Sequence, residues 1–169
     1  MQFLPTTLTL TPQNTTTMPA PIKRHPALQP LSRDHHFGLL VCWKIRKGLT
    51  AQIDPARIKA YVDWFWDSYL SDHFEEEEKY VFPLLGDGNK LAQQALQEHR
   101  SIRGLLDKKE GMEEVLHSLE ETLNAHIRFE ERELFNAVQE VATAKQLDEI
   151  EKLHHASIDE NAWGDRFWE

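Results

Sequence analysis

The chain has 169 residues, a formal net charge of −9 and a sequence pI near 5.5. This negative charge argues against nucleic acid or an anionic membrane surface as a partner. The single cysteine, Cys42, excludes an internal disulfide framework and a thiolate zinc site. No apolar run reaches the about 18 residues that a membrane span needs, so we expect a soluble protein. From its length and charge we also expect a single domain, a cytoplasmic location and neither nucleic acid nor a membrane as partner.

The N-terminal segment, residues 1–30, is predicted to be a disordered or extended tail. Residues 1–17 are rich in Thr and Pro, and they lack the positive region and apolar core of a signal peptide. Translation from Met1 and translation from Met18 both fit this composition. Three prolines between positions 21 and 30 favour an extended chain before the first helix.

The first two predicted helices cover residues 31–47 and 54–82. Ser32 is the candidate cap of the first helix, and Gly48, which follows basic residues, is its predicted stop. Asp54 followed by Pro55 is a typical helix start, since proline fits the first helical position. The second helix is predicted to close before Pro83.

The remaining helices are predicted over residues 90–108, 112–141 and 144–158. Asn89 and Thr143 are the caps of the third and fifth, and Gly111 separates the third from the fourth. The fourth helix has one continuous inward stripe, made of Leu116, Leu119, Leu123, His126, Glu130, Leu134, Ala137 and Val141.

No segment has the period of a strand, so the predicted fold is all-α. We expect an antiparallel up-down four-helix bundle over residues 31–158, with the short fifth helix at its C-terminal end. The aromatic tail of residues 159–169 is expected to pack on the outside of this bundle.

One motif occurs twice. His73 precedes Glu77 by four residues, with Glu78 directly behind, and His126 stands in the same relation to Glu130 and Glu131. Four residues are about one helical turn, so each His–Glu pair shares a face and can converge on one ion.

The ordinary explanation of a His–Glu pair on a helix is a surface interaction worth a few tenths of a kcal/mol. Here both pairs lie on apolar stripes, where burial without a partner would cost several kcal/mol. Two such pairs at matched positions therefore predict a two-metal site inside the bundle.

The other two long helices also offer histidine. His99 has apolar residues three before, three after and seven after it, which predicts an inward position, although a core histidine without metal also fits. On the first helix, either His35 or His36 is the candidate ligand. Leu39, Leu40 and Trp43 follow His36 at the same kind of spacing, which favours His36, with its neighbour hydrogen-bonding behind the ligands.

Glu78 and Glu131 lie about 140° around the helix from their histidines. The simpler interpretation is that they are solvated or paired with Lys79, Arg128 or Arg132. They are candidates for supporting the ligands from outside, not for direct ligation.

These motifs resemble the hemerythrin-like (HHE cation-binding) family. The resemblance is carried by Asp34-His35-His36, by the two repeated His–Glu–Glu motifs and by Glu98-His99, from about Leu31 to Val141. It implies a four-helix bundle holding a non-haem di-iron centre, in proteins that bind dioxygen or nitric oxide, sense iron or oxygen, or help to repair iron–sulfur clusters. Carried over by position, the ligands would be His36 or His35, His73, Glu77, His99, His126 and Glu130, with the two glutamates bridging.

The sequence departs from oxygen-carrying members at two positions. Arg103 stands where they usually have a second histidine one turn after the ligand of the third helix. The fourth helix has Glu130 four residues after His126, where they usually have an aspartate five after. More carboxylate and fewer imidazoles would stabilise oxidised metals, which disfavours reversible oxygen carriage and favours redox, peroxide or nitric oxide chemistry.

The expected cofactor is a pair of iron ions with an oxo or hydroxide bridge, and manganese or zinc also suits the ligands. Two ferrous ions, two glutamates and one hydroxide come close to neutrality, which a buried site tolerates. We expect a protein that binds or senses a small gas, or handles iron, rather than a classical enzyme. The alternative is a di-iron oxidase, peroxidase or iron–sulfur repair enzyme.

A ferritin-like centre fits less well. Its Glu-x-x-His pairs would be Glu114 with His117 and Glu151 with His154, but neither is repeated on partners that complete a site. The sequence points to no particular protein partner.

Overall fold

The computed structural model describes residues 23–153, 157–159 and 161–169. Within these ranges all regular structure is helical, which confirms the predicted all-α fold. Four long helices and one short helix follow one another: α1 (Gln29–Thr50), α2 (residues 55–81), α3 (Lys90–Leu106), α4 (residues 112–141) and α5 (Ala144–Glu151).

Three of the predicted helix caps are present. Asp54 accepts the backbone N–H of Ala56 at the start of α2, and Asn89 accepts those of the first residues of α3. Thr143 and Gln146 form a reciprocal capping box at the start of α5.

The predicted ends of α1 are wrong. The helix begins at Gln29, after a 3₁₀ turn over Pro26–Leu28, so Ser32 lies inside it and does not cap it. Pro30 is tolerated there because the first turn of a helix has no partner for its N–H. The helix also continues past Gly48 to Thr50, and Gly48 is a close-packing position rather than a stop. A Cβ there would lie 2.8 Å from Ile58 Cδ1 and 2.9 Å from Phe167 Cε2.

Two of the long helices are widened by π-helical turns. In α2 such turns cover Trp66–Leu70 and Glu77–Val81, and in α4 one covers Glu130–Leu134. The last two begin at the glutamates of the repeated motif. Turns of this kind are rare and frequently occur at functional sites.

The four long helices run antiparallel around a closed ring. Between α1 and α2, Lys44 bonds Tyr61 while Asp34 bonds His73. Between α1 and α4, Cys42 bonds the carbonyl of Glu120 while His35 bonds Glu131. Sequence numbers rise on one helix as they fall on its neighbour, so the bundle is up-down-up-down, as predicted.

The core has two apolar clusters. One contains Ile45, Ile58 and Leu119 and lies towards the α1–α2 and α3–α4 connections. The other contains Leu31, Phe82 and Val138 and lies towards the opposite end. The repeated His–Glu motifs stand between the two along their helices, so the apolar core is interrupted at mid-bundle.

The C-terminal tail is part of the fold. Phe167 is buried in the first apolar cluster, and Trp163 and Trp168 pack beside it against Tyr61. Asp165 accepts a 2.6 Å hydrogen bond from Nε of Arg57. Packing of this tail on the bundle is as predicted, although Phe167 is buried more deeply than an outer contact requires. The fifth helix is shorter than predicted, since α5 ends at Glu151.

In the described part of the chain, none of the helices combines the length and the apolar character of a membrane span. Most of the predicted N-terminal tail, with both candidate start residues, lies outside the described residues, and residues 26–30 are already helical.

Candidate metal centre

A buried layer of ionisable side chains lies between the two apolar clusters. The six members of this ligand layer expose 4% of their surface or less: His35, His73, Glu77, His99, His126 and Glu130. All four long helices contribute to the layer. Ionisable groups are costly to bury unless they are paired or bind a metal, so the layer requires a chemical explanation.

The ligand layer divides into two groups of four that share both glutamates. The α1–α2 group contains His35 and His73, and the α3–α4 group contains His99 and His126, each together with Glu77 and Glu130. Within each group the candidate ligand atoms all lie within 4.8 Å of one another. The two groups therefore depend on the same two carboxylates.

The carboxylate of each glutamate lies close to histidines of both groups. Oε1 of Glu77 lies 3.3 Å from His73 Nε2, and its Oε2 lies 3.4 Å from His99 Nε2. Oε2 of Glu130 lies 3.1 Å from His35 Nε2 and 3.3 Å from His126 Nε2. Every imidazole therefore presents Nε2 to the carboxylates at the centre of the layer.

Several of these atoms have no hydrogen-bond partner among the described residues. They are Nε2 of His35, Nε2 of His73 and all four carboxylate oxygens of Glu77 and Glu130. Buried polar atoms are almost always satisfied, so a cluster of exceptions needs an explanation such as an ion. Imidazole nitrogen and carboxylate oxygen are ligands that suit iron, manganese and zinc. The residues therefore fit a bound metal.

Electrostatic coupling in the layer is strong. Burial alone would lower the pKa of His73, but Glu77 and Asp34 raise it to about 9. Burial also opposes the charged form of His35, yet its glutamate neighbours raise its pKa well above the usual value. The pKa of Glu77 is held well below its usual value, against burial, by His73 and His35. Without metal, the raised pKa values of His35 and His73 favour a proton on each of these imidazoles, and a cation must displace such protons to bind.

Four further carboxylates surround the ligand layer. These outer carboxylates are Asp34, Glu78, Glu98 and Glu131, and each lies at Nδ1 of one ligand histidine. The distances are 3.3 Å from Asp34 to His73, 2.7 Å from Glu78 to His99, 2.8 Å from Glu98 to His126 and 2.7 Å from Glu131 to His35. An ionised carboxylate only accepts hydrogen bonds, so Nδ1 donates and Nε2 is free for a metal.

The outer carboxylates link the four helices into a ring. Asp34 of α1 holds the histidine of α2, Glu78 of α2 that of α3, Glu98 of α3 that of α4, and Glu131 of α4 that of α1. Each helix therefore supplies one ligand histidine and one support for the histidine of the next helix.

A family model, the hemerythrin HHE cation-binding domain, matches residues 31–138. The match covers more than half of the chain and contains the whole ligand layer. The chain belongs to the hemerythrin HHE cation-binding family. No curated protein and no solved structure matches it significantly. The resemblance inferred from the motifs is thereby confirmed, and the protein is a metal-binding protein of the HHE family.

The structure reverses the preference for His36 on the first helix. His35 is 3% exposed and belongs to the ligand layer of the HHE domain, whereas His36 is exposed beside Phe37. The leucine spacing after His36 was misleading because Leu39 and Leu40 are only partly buried and Trp43 is exposed. The other candidate ligands of the HHE domain all lie in the layer.

Glu78 and Glu131 lie outside the layer, and each is hydrogen-bonded to Nδ1 of one of its histidines. Their cationic partners differ from those expected. Glu78 pairs with Arg103 at 2.7 Å, and Glu131 pairs with Arg24 at 3.0 Å. Burial would raise the pKa of Glu131, but the hydrogen bond from His35 and the charge of Arg24 lower it to about 2.

Four residues that contact the histidines of the layer or their carboxylates were not predicted as site residues: Asp34, Glu98, Arg24 and Arg103. The first two had a signal in the sequence, because Asp34-His35 and Glu98-His99 are the same acid–histidine dipeptide on α1 and α3. Reading the dipeptides as a second repeat would also have selected His35. Arg24 and Arg103 contact their glutamates from distant positions, and sequence spacing gives no indication of either contact.

The ferritin-like alternative gains no support. Glu114 and His117 are both exposed on α4 and lie away from the ligand layer. The second pair includes His154, which lies outside the described residues.

Proposed function

We propose that this HHE protein holds a dinuclear non-haem iron centre that binds dioxygen or nitric oxide. The observation that carries the proposal is the sharing of Glu77 and Glu130 by two otherwise separate histidine pairs. One metal would be held by His35 and His73 and the other by His99 and His126, with Glu77 and Glu130 shared between them. Iron accepts more than four ligands, so a small molecule could also bind when iron is present.

Iron is the metal that best suits the mixed imidazole and carboxylate set, with manganese and zinc as the alternatives. When bound, the two irons would supply both the binding position for the gas and the electrons for any redox step.

The protein's own contribution is orientation and exclusion of water. His35 stacks on Phe135 with ring centroids 5.2 Å apart, and His99 stacks on Phe74 at 3.5 Å. These rings leave the imidazoles little freedom to rotate. Because the ligand layer is at most 4% exposed, only a very small molecule can reach it. Burial therefore supports a diatomic ligand over a larger substrate.

A second candidate function is a di-iron redox enzyme, acting on peroxide or in iron–sulfur repair. The observation that favours it is the set of four outer carboxylates. A carboxylate at Nδ1 makes an imidazole a stronger electron donor and stabilises the oxidised metal. Reversible oxygen carriage requires an accessible reduced state, so it is the form of gas binding that this charge arrangement supports least.

The metal content is tested by anaerobic titration of the metal-free protein with ferrous iron. We expect uptake to saturate near two equivalents per chain, since the two groups share glutamates but not histidines. The exposed His36 provides the matched control, and His36→Ala should also take up two equivalents. Saturation of the wild type at one equivalent, or none, would refute the dinuclear centre.

The gas is tested on the same loaded protein by optical spectroscopy. We expect new absorption when the reduced protein meets nitric oxide or dioxygen, and no such change in His126→Ala, which lacks one ligand of the α3–α4 group. A fully loaded protein whose absorption spectrum is unchanged by both gases would refute gas binding. Multiple-turnover consumption of peroxide by that protein would then support the redox enzyme.

A further inference from the structure

Two of the four outer carboxylates are held by arginines. Oε1 of Glu78 receives a 2.7 Å hydrogen bond from Arg103 Nη1 and also lies 2.7 Å from His99 Nδ1. Oε2 of Glu131 receives a 3.0 Å bond from Arg24 Nη2, and its Oε1 lies 2.7 Å from His35 Nδ1. Each arginine thus reaches a ligand histidine through one glutamate.

Both terminal nitrogens of Arg24 donate hydrogen bonds to residues of α4. Its Nη2 also donates to the backbone carbonyl of Glu131 at 2.6 Å, and its Nη1 donates to Asn136 at 3.1 Å and Gln139 at 3.3 Å. The guanidinium lies 5.2 Å from the centre of the Phe135 ring, the same ring on which His35 stacks. These contacts give the guanidinium one orientation relative to α4.

Arg103 is fixed by aromatic rings of α2. Its guanidinium lies 5.5 Å from the centre of Phe74 and 5.8 Å from that of Trp66. Phe74 in turn stacks on His99. In the oxygen-carrying proteins that the motifs resemble, this position usually holds a second histidine of the third helix. In this chain Arg103 occupies that position and bonds Glu78, which lies behind His99, so Arg103 acts on the histidine from outside.

Each of the two groups of candidate ligands is reached by one arginine. Arg24 reaches the α1–α2 group through His35, and Arg103 reaches the α3–α4 group through His99. In the α3–α4 group the other histidine has a different kind of support, since Glu98 accepts a 2.9 Å bond from the amide of Gln94. Each group therefore contains one histidine whose supporting carboxylate is anchored by a permanent positive charge.

We propose that Arg24 and Arg103 are positioning residues of the metal centre, each of which sets how tightly the metal of its own group is held. The inference rests on the proposed dinuclear centre. The side chains of Glu78 and Glu131 are 29% and 30% exposed, so without its arginine either carboxylate can turn to solvent. The histidine then loses its acceptor at Nδ1, becomes a weaker donor at Nε2 and is free to rotate. Changes to partners of this kind cost about 10- to 100-fold in metal affinity.

The test measures the release of ferrous iron from fully loaded protein to an excess of a colorimetric chelator under anaerobic conditions. In Arg103→Met we expect one of two irons to leave about tenfold faster than in the wild type, while the other keeps its rate. Arg24→Met should produce the same pattern through the other group. Arg100→Met is the matched control, because it removes one positive charge from the same helix at an exposed residue that bonds the nearby Gln97.

A double-mutant cycle separates positioning from packing. If Arg103 acts through Glu78, Arg103→Met should add nothing to the release rate in a Glu78→Gln background. If Arg103 matters through its contacts with Phe74 and Trp66, the acceleration will persist in that background, and the proposal is wrong. Wild-type release rates in Arg103→Met, or equal acceleration in Arg100→Met, would overturn it as well.

Two further comparisons keep the outcome decisive. Should Arg103→Met not fold, Arg103→Lys retains the charge without the planar fork, and we expect it to release one iron at an intermediate rate. Wild-type rates in Arg103→Lys would then refute the role of the fork. Failure of the dinuclear centre itself is recognised separately, because the wild type would then not load two equivalents before any release is measured.

Discussion

The neighbours His35 and His36 give the sharpest test of the metal centre. Both lie on α1, both are histidines and both follow Asp34, yet one is 3% exposed and the other is on the surface. Replacing each with alanine makes the same chemical change in two environments. We expect His35→Ala to disable the α1–α2 group and His36→Ala to have almost no effect.

The magnitude follows from what each side chain touches. In the metal-free protein the buried His35, whose pKa is raised well above its usual value, lies among carboxylates, 3.1 Å from Glu130 and 2.7 Å from Glu131. Removing one partner of such a buried pair typically costs about 3–5 kcal/mol of folding free energy. In the metal-loaded protein, a site filled at about 100 times its Kd contributes about 2.7 kcal/mol, which is lost when a ligand is removed. A surface change such as His36→Ala is expected to stay within about 0.5 kcal/mol.

The assay combines bound iron per chain with the thermal midpoint, in the presence and absence of iron. His35→Ala should bind at most one equivalent, and iron should raise its Tm less than it raises that of the wild type. His36→Ala should bind two equivalents and melt within about 2 °C of the wild type. Loss of iron from His36→Ala together with full binding by His35→Ala would refute the assignment of α1.

Three other predictions concern pH, the cysteine and the C-terminal tail. The pKa of His73 is raised from 6.5 in the unfolded chain to about 9 in the folded protein. Protonated His73 therefore stabilises the metal-free protein fully below pH 6.5, and this stabilisation is lost as the pH rises through 9. A Tm that rises between pH 6.5 and pH 9 would contradict this. Burial, reinforced by Glu120, raises the pKa of the Cys42 thiol to about 12, so a chromogenic thiol reagent should react only after denaturation, and rapid reaction with native protein would show that the thiol is accessible. Gly48→Ala should lower stability by about 1–3 kcal/mol because its Cβ would meet the Phe167 ring, whereas Gly104→Ala, with open space around its Cβ, should be neutral or stabilising in the same denaturant titration.

The parts of this fold that could be predicted from the sequence are those that depend on local chemistry. Asp54, Asn89 and Thr143 cap helices where their side chains can reach free N–H groups, and this needs no tertiary information. The His–Glu pairs at four-residue spacing were equally local. Their burial could be inferred because the neighbouring stripes are apolar.

The error in the predicted stripe of α4 has one physical cause. A constant helical period placed Ala137 and Val141 of α4 inside, but Phe135 and Val138 are fully buried and Val141 is 57% exposed. The π-helical turn over Glu130–Leu134 lengthens the helical period locally and rotates everything after it. The turn begins at Glu130, whose carboxylate lies against His35 of another helix, and the sequence pattern does not reveal such a contact.

The choice between His35 and His36 failed for a different reason. Apolar spacing was judged along one helix, whereas the deciding contact is the 2.7 Å bond from His35 to Glu131 on another helix. The dipeptide Asp34-His35 was the better guide, because it matches Glu98-His99 and both acids support the histidine of the next helix. The acid and the histidine that it holds lie on different helices. The repeated acid–histidine dipeptides were therefore more informative here than the spacing of apolar residues along one helix.

The ring of outer carboxylates has a consequence for how metal binding and folding are coupled. Each ligand histidine is held from outside by the neighbouring helix, so the Nε2 atoms are aimed before any metal arrives. The two apolar clusters lie on either side of the layer and bury most of the core. Within the layer, raised histidine pKa values let protons neutralise the carboxylates. The apolar clusters and the neutralised carboxylates therefore keep the metal-free bundle folded. Metal binding then exchanges protons for cations within a preformed site. Iron loading should accordingly release protons while leaving the helical circular dichroism unchanged, and a large gain in helix on loading would show that the site is not preformed.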